Sequence, residues 1–202
     1  IRKALECIVT EKYKEDSDDF KALELYLKKV WFASGIHHHY AMDKFVPAFS
    51  RSYFAEALGS VGKEKLGLDA EESLTDYITT LSEVIFNPAC MPKRVNKAEG
   101  ADVIKTSANN YYEGVSQEEV ERFYAEKKET ADDKRLSFGL NSTLVKRGDT
   151  LEEIVWKLNG RYGKTIEQII HWLNKAIAYC ENNEQKEIIR LLIAYYTSGN
   201  LA

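Results

Sequence analysis

The sequence predicts a mainly α-helical fold, α+β with few short strands, and three observations predict it. Apolar residues recur at three- and four-residue spacing through Phe20, Leu23, Leu27, Val30 and Trp31, and again through Ile166, Ile169, Ile170, Leu173, Ile177 and Cys180. Helix-start signals stand where such helices would begin, most plainly Ser116-Gln117-Glu118-Glu119. Strand-like stretches are confined to residues 136–145 and a short apolar run at Val103-Ile104. At 202 residues the chain can bury a proper core as one large domain or two small ones.

Taken in order, residues 1 to about 13 read as the tail of a helix. Glu15-Asp16-Ser17-Asp18-Asp19 supplies caps and acidic first-turn residues for the next, and Gly35 is placed to stop it. Helices follow at roughly 50–60 and 70–87, the second ending at Asn87-Pro88. Between 89 and 114 the pattern breaks around Pro92, Gly100 and Asn109-Asn110, a long connection or small β-element that serves a function or acts as a packing strap. Ser116 and Glu119 form a capping box, and Thr150 with Glu153 repeats the arrangement, predicting a second helix there. Within 141–146 the alternation gives no clean strand face. A helix over about 164–181 follows, and a last one over about 184–196. The last is apolar nearly all round at Ile188-Ile189 and Leu191-Leu192-Ile193, which predicts burial on several sides.

The chain begins at Ile1, and a turn-like Thr197-Ser198-Gly199-Asn200 stands just before its last residue. The expectation is therefore a single helical domain or part-domain, 1–202, of a longer protein. No signal-peptide pattern and no apolar run long enough to cross a bilayer is visible. A hydrophobic share of 44% with 30% charged residues is ordinary for a soluble globular protein. The net charge of −4, with both signs mixed along the chain, leaves no footprint for nucleic acid or an anionic membrane, so neither is an expected partner. Cys7, Cys90 and Cys180 are far apart and odd in number, which favours reduced, buried thiols over a disulfide or metal framework. The sequence does not resolve the compartment; of the alternatives, the cytoplasm is favoured.

Three of the four histidines are consecutive, His37-His38-His39, followed by Tyr40 and Asp43. Imidazoles bind transition metals, but neighbours on a helix splay about 100° apart, and in an extended segment only His37 and His39 share a face. A loop whose histidines hydrogen-bond or line a cleft is the better reading. No catalytic zinc motif is present: His171 is followed by Trp172, and no glutamate follows any histidine. Nucleophile elbows and phosphate-binding glycine loops are missing too, Gly59, Gly62 and Gly67 fitting no such pattern. Tyr111-Tyr112 after Asn109-Asn110 reads as packing or as the lining of a peptide or sugar cleft.

One long run, Tyr26-Leu27-Lys28-Lys29-Val30-Trp31-Phe32-Ala33-Ser34-Gly35-Ile36-His37-His38-His39-Tyr40 with Asp43-Lys44-Phe45-Val46-Pro47, resembles dipeptidyl peptidase III, particularly its bacterial members. Further similar blocks follow in the same order: Met91-Pro92-Lys93-Arg94-Val95-Asn96, Asn110-Tyr111-Tyr112-Glu113-Gly114, Gly139-Leu140-Asn141-Ser142-Thr143-Leu144-Val145-Lys146, Tyr162-Gly163, and Glu181-Asn182-Asn183-Glu184-Gln185-Lys186. The resemblance implies a zinc-dependent exopeptidase removing N-terminal dipeptides from short peptides, with two lobes around a wide cleft. It places this chain as a helical segment of the non-zinc lobe, upstream of a His-Glu-x-x-x-His motif. Zinc is then the cofactor of the parent enzyme with its ligands outside this chain, and the partners are short peptide substrates and the zinc-binding lobe of the same protein. Eukaryotic members differ at the histidines, so no metal role for the triplet is implied. The resemblance assigns no catalytic residue here. It implies that His39 and Tyr40 border the substrate cleft.

Overall fold

The computed structural model describes residues 1–201. About half of them are helical, beside one small mixed sheet. The chain divides into two units, Ile1–Ala108 and Asn109 onward.

The first unit holds α1 (Arg2–Glu11), α2 (Asp18–Ala33), α3 (Arg51–Gly59), α4 (Lys63–Leu66), α5 (Leu74–Phe86) and α6 (Val103–Thr106). Serine caps set the starts. Ser17 Oγ accepts from the Phe20 amide at 3.1 Å, Ser50 from Tyr53 at 3.2 Å and Ser73 from Asp76 at 3.2 Å, each relieving an orphan donor of a first turn. Asp19 also accepts from the Ser50 amide at 2.6 Å, so the start of α2 anchors the start of α3. The core joins Leu5 and Ile8 of α1, Leu23 and Leu27 of α2, Phe54 and Leu58 of α3, and Ile85 of α5. Phe49 packs edge-on against Tyr26 at 5.4 Å and Phe86 at 5.5 Å, the arrangement ring quadrupoles favour. Burial pushes the Tyr26 phenol up to about 12.

Two details of α2 differ from the sequence expectation. Its buried face is Phe20, Leu23, Tyr26, Leu27, Val30 and Ala33, whereas Trp31 is half-exposed, its indole N–H donating to Glu6 at 2.7 Å. The left-handed residue closing the helix is Ser34 (φ 56°), and Gly35 donates its N–H to the Val30 carbonyl at 3.0 Å.

The second unit holds β1 (Tyr112–Glu113), α7 (Gln117–Thr130), β2 (Ser142–Arg147), β3 (Thr150–Val155), α8 (Gly163–Ala176), a 3₁₀ turn at Ile177–Tyr179, and α9 (Asn183–Ser198). β1 runs parallel to β2, and β2 antiparallel to β3. The helix expected at Thr150 is a strand. Arg147 pairs with Thr150 across a two-residue turn whose first member, Gly148, takes φ 60°, so hairpin geometry overrides the Thr150–Glu153 capping signal. The Glu153 side chain faces sideways instead, receiving Ser142 Oγ at 2.7 Å, Tyr124 at 3.2 Å and Lys127. Strand β2 lacks alternation because its first four residues are all buried, Ser142 and Thr143 among them, with their hydroxyls satisfied internally. The α9 expectation also fails: none of its residues is buried, and Ile188 and Leu191 stand exposed. The three cysteines are free and half-buried.

The capping box at Ser116 forms as the sequence predicts. The Glu119 amide donates to Ser116 Oγ, while the Glu119 carboxylate takes the Ser116 amide at 2.8 Å and hydroxyl at 2.9 Å. Lys146 of β2 adds a bond at 2.6 Å, tying α7 to the sheet. The Lys146 ammonium and the Ser116 donors hold the Glu119 carboxyl down at about 2, from an ordinary 4.5. A depressed carboxyl stabilises the fold above its unfolded value and loses that contribution as pH falls toward its folded one. Urea unfolding of wild type and Glu119→Gln is therefore expected to show a stability difference that is full near neutrality and shrinks from about pH 4.5 to about pH 2. A difference independent of pH would contradict this.

Candidate functional site: an aromatic loop tip braced from behind

After α2 the chain makes a narrow hairpin-like loop. His37 bridges Lys44 antiparallel, the Phe45 amide donates to the Ile36 carbonyl at 2.9 Å, and the His38 amide donates to the Asp43 carbonyl at 2.8 Å. The Met42 amide closes the tip on the His38 carbonyl at 2.8 Å, with Met42 itself at φ 65°, a left-handed conformation uncommon for a long side chain. His39 and Tyr40 occupy that tip.

The three histidines meet three different fates. His37 turns inward, 8% exposed, and its Nε2 donates to the Met91 carbonyl at 2.9 Å. His38 turns along the loop, where Nδ1 accepts the amides of Tyr40 at 3.3 Å and Ala41 at 3.1 Å, closing the turn as an Asx side chain would. Its ring lies parallel to that of His39 at 5.4 Å. His39 is sandwiched among His38, Phe32 at 6.0 Å and Tyr40 at 4.1 Å. Tyr40 is 81% exposed. The rings therefore diverge, and among the described residues no group of three or more His, Cys, Asp or Glu side chains could hold a metal ion.

The loop is braced from behind by the connection over residues 89–114 and the end of α5 before it. The Lys44 amide donates to the Pro92 carbonyl at 3.1 Å and the Arg94 amide to the Met42 carbonyl at 2.8 Å. Asp43 bridges Lys93, their side chains pairing at 3.1 Å, and Lys93 bridges Ser107 in turn. The Lys44 ammonium reaches the carbonyls of Val84 at 2.9 Å, Asn87 at 2.5 Å and Cys90 at 2.6 Å. These belong to the end of α5 and the turn after it, where carbonyls lack helical partners. Burial draws the Lys44 pKa below the ordinary lysine value. What the arrangement can do chemically is present two stacked imidazoles and a phenol tilted against them on a rigid support. It contains no nucleophile–base pair.

The other residues singled out from sequence lie elsewhere. His171 is exposed on α8, edge-on to Trp172 at 5.3 Å. Tyr111 packs on Trp156 at 5.2 Å, and Trp156 meets Tyr162 at the same distance; Tyr162 sits at φ 63° with its hydroxyl 3.0 Å from Asn110 Nδ2. The Trp156 indole N–H and Arg161 both donate to Thr143 Oγ1, so this cluster is internal cross-linking around β2. Sequence reasoning passed over Phe32, Lys28 and Lys29, which flank the loop tip on α2. The available signal was Phe32 itself, a large apolar residue outside the helix's buried stripe, 85% exposed.

Lys44→Met would leave three carbonyls without their charged donor, a loss expected to cost about 2 kcal/mol. Urea unfolding checks it, and cleavage of the chain at residues 39–42 by a nonspecific protease should accelerate; an unchanged midpoint and cleavage rate would contradict the bracing role. Searches against family models and curated proteins find no match for this chain.

Proposed function

We propose that this chain is part of a zinc-dependent dipeptidyl peptidase that releases N-terminal dipeptides from short peptides, with His39 and Tyr40 forming one wall of the substrate cleft. The observation that carries the reading is the loop tip: two aromatic rings in tilted contact at 4.1 Å, one of them 81% exposed, on a turn fixed by backbone hydrogen bonds and braced from behind. Exposed, rigidly held aromatic faces bind extended peptides at low entropic cost. The ordered blocks resembling dipeptidyl peptidase III add support. The Met91–Asn96 block lies along Met42 and Lys44, and the blocks around Asn110, Thr143 and Tyr162 gather at β2.

On this reading zinc and the lobe that carries it lie outside this chain. The contribution here is positional. His38 sets the turn, the turn sets the directions of His39 and Tyr40, and these orient the peptide, which lowers the barrier by fixing the reacting geometry.

A second reading, a non-catalytic helical domain that binds peptides or proteins, is favoured by one observation: α8 and α9 expose Trp172, Ile188 and Leu191. The same experiment separates the two. In the parent protein, His39→Ala/Tyr40→Ala is expected to lower kcat/KM for dipeptide release about tenfold, the worth of one or two aromatic contacts. Unchanged kinetics would overturn the cleft role, and a parent protein that releases no dipeptides would leave the binding-domain reading in its place.

A further inference from the structure

Beside the loop tip lies a groove of about 560 Å³, within the size range of small-ligand sites. It is open to solvent and lined by the apolar Phe32, Ala33 and Phe45, by His38 and His39, and by Lys28 and Lys29. No carboxylate lines it, although the chain as a whole carries more acidic than basic residues. Lys28 is paired with Glu24 at 3.1 Å. Lys29 has no ion-pair partner among the described residues. The groove thus combines apolar surface, aromatic nitrogen rings and one uncommitted positive charge, and its complement is an apolar group carrying a negative charge.

Spacing narrows the occupant. Lys29 and Phe32 are three residues apart on α2, so their side chains are neighbours, with Cβ atoms about 5–6 Å apart. A ligand that covers Phe32 must therefore present its carboxylate close to the root of its apolar group. The C-terminal residue of a peptide does this, since side chain and carboxylate leave the same carbon. An aspartate or glutamate side chain does not, because its charge sits at the far end of its own short stem and leaves nothing apolar for Phe32.

We infer that this groove receives the C-terminal residue of a bound short peptide, its aromatic or apolar side chain over Phe32 and its free carboxylate on Lys29. The inference rests on the cleft reading of His39 and Tyr40 and gives that cleft a preference for short peptides with free, apolar C-termini. Lys29 and Phe32 are then specificity-determining residues.

The test is calorimetric titration of the 202-residue chain with Ala-Ala-Ala-Ala-Phe bearing a free carboxylate, with its C-terminal amide, and with Ala-Ala-Ala-Ala-Ala. Amidation is expected to weaken binding by about five- to tenfold, the usual scale for one exposed charge pair with added hydrogen bonding. Lys29→Glu should abolish the acid-over-amide preference, and Phe32→Ala should abolish the preference for the Phe-ended peptide, circular dichroism confirming that both variants keep their helix content. Equal binding of acid and amide by the wild type, with binding still lost in Tyr40→Ala, would overturn the groove assignment and leave the cleft reading standing. No binding of any of the three peptides would overturn the groove assignment, the cleft reading being decided by the kinetics of His39→Ala/Tyr40→Ala in the parent protein.

Discussion

The ammonium of Lys44 satisfies three carbonyls at the end of α5 and in the turn after it, while the same residue's backbone pairs with His37 on one side and Pro92 on the other. A helix C-terminus left with bare carbonyls in a half-buried setting is costly, and a charged donor there also meets the negative end of the helix dipole. The geometry of the loop follows from this one contact. With Lys44 pinned, the strand-like residues before it are held in register against Ile36 to His38, and the tip has only four residues, 39–42, with which to turn. A tip that short places Met42 in the left-handed region, half-buries His39 among its neighbouring rings and leaves Tyr40 pointing outward. The exposure of Tyr40 is a consequence of closure rather than of flexibility.

Exposure of this kind has a function only if the rings are held, and the histidine run provides the holding. A single imidazole type serves three structural ends: His37 fastens the loop to Met91, His38 caps the turn with Nδ1, and His39 spaces Tyr40 from Phe32. The tract that looks most like a metal site in the sequence is thereby spent on architecture and on an aromatic surface. Under the proposed function this chain would orient a peptide, the hydrolytic chemistry being left to groups outside it.

Much of the helical part of the fold was legible. The caps at Ser17 and Ser116 were readable because a cap is a local event, decided within four residues; Ser50 and Ser73, not singled out from the sequence, cap by the same local rule. Where a non-local partner decides, the sequence misled. Thr150 with Glu153 carries the same local signal as Ser116 with Glu119, yet Gly148 and the pairing of 142–147 make it a strand. The absence of alternation in β2 has a similar origin, since Ser142 and Thr143 are buried polar residues whose partners lie on Glu153 and Asn110. At the site, the divergence of the histidines could be argued from backbone geometry alone. The bracing by Lys44 could not, because its three carbonyls lie 40 to 46 residues away. Phe32 was readable only in hindsight of which α2 face is buried.

Solution NMR of the 202-residue chain titrated with a short, unhydrolysed peptide tests the central claim most directly, that the braced loop tip is a peptide-binding surface. Amide and aromatic shifts concentrated at residues 38–43, with Tyr40 the most perturbed ring, are the predicted result. Shifts confined to α8 and α9, with the loop silent at saturating peptide, would contradict it.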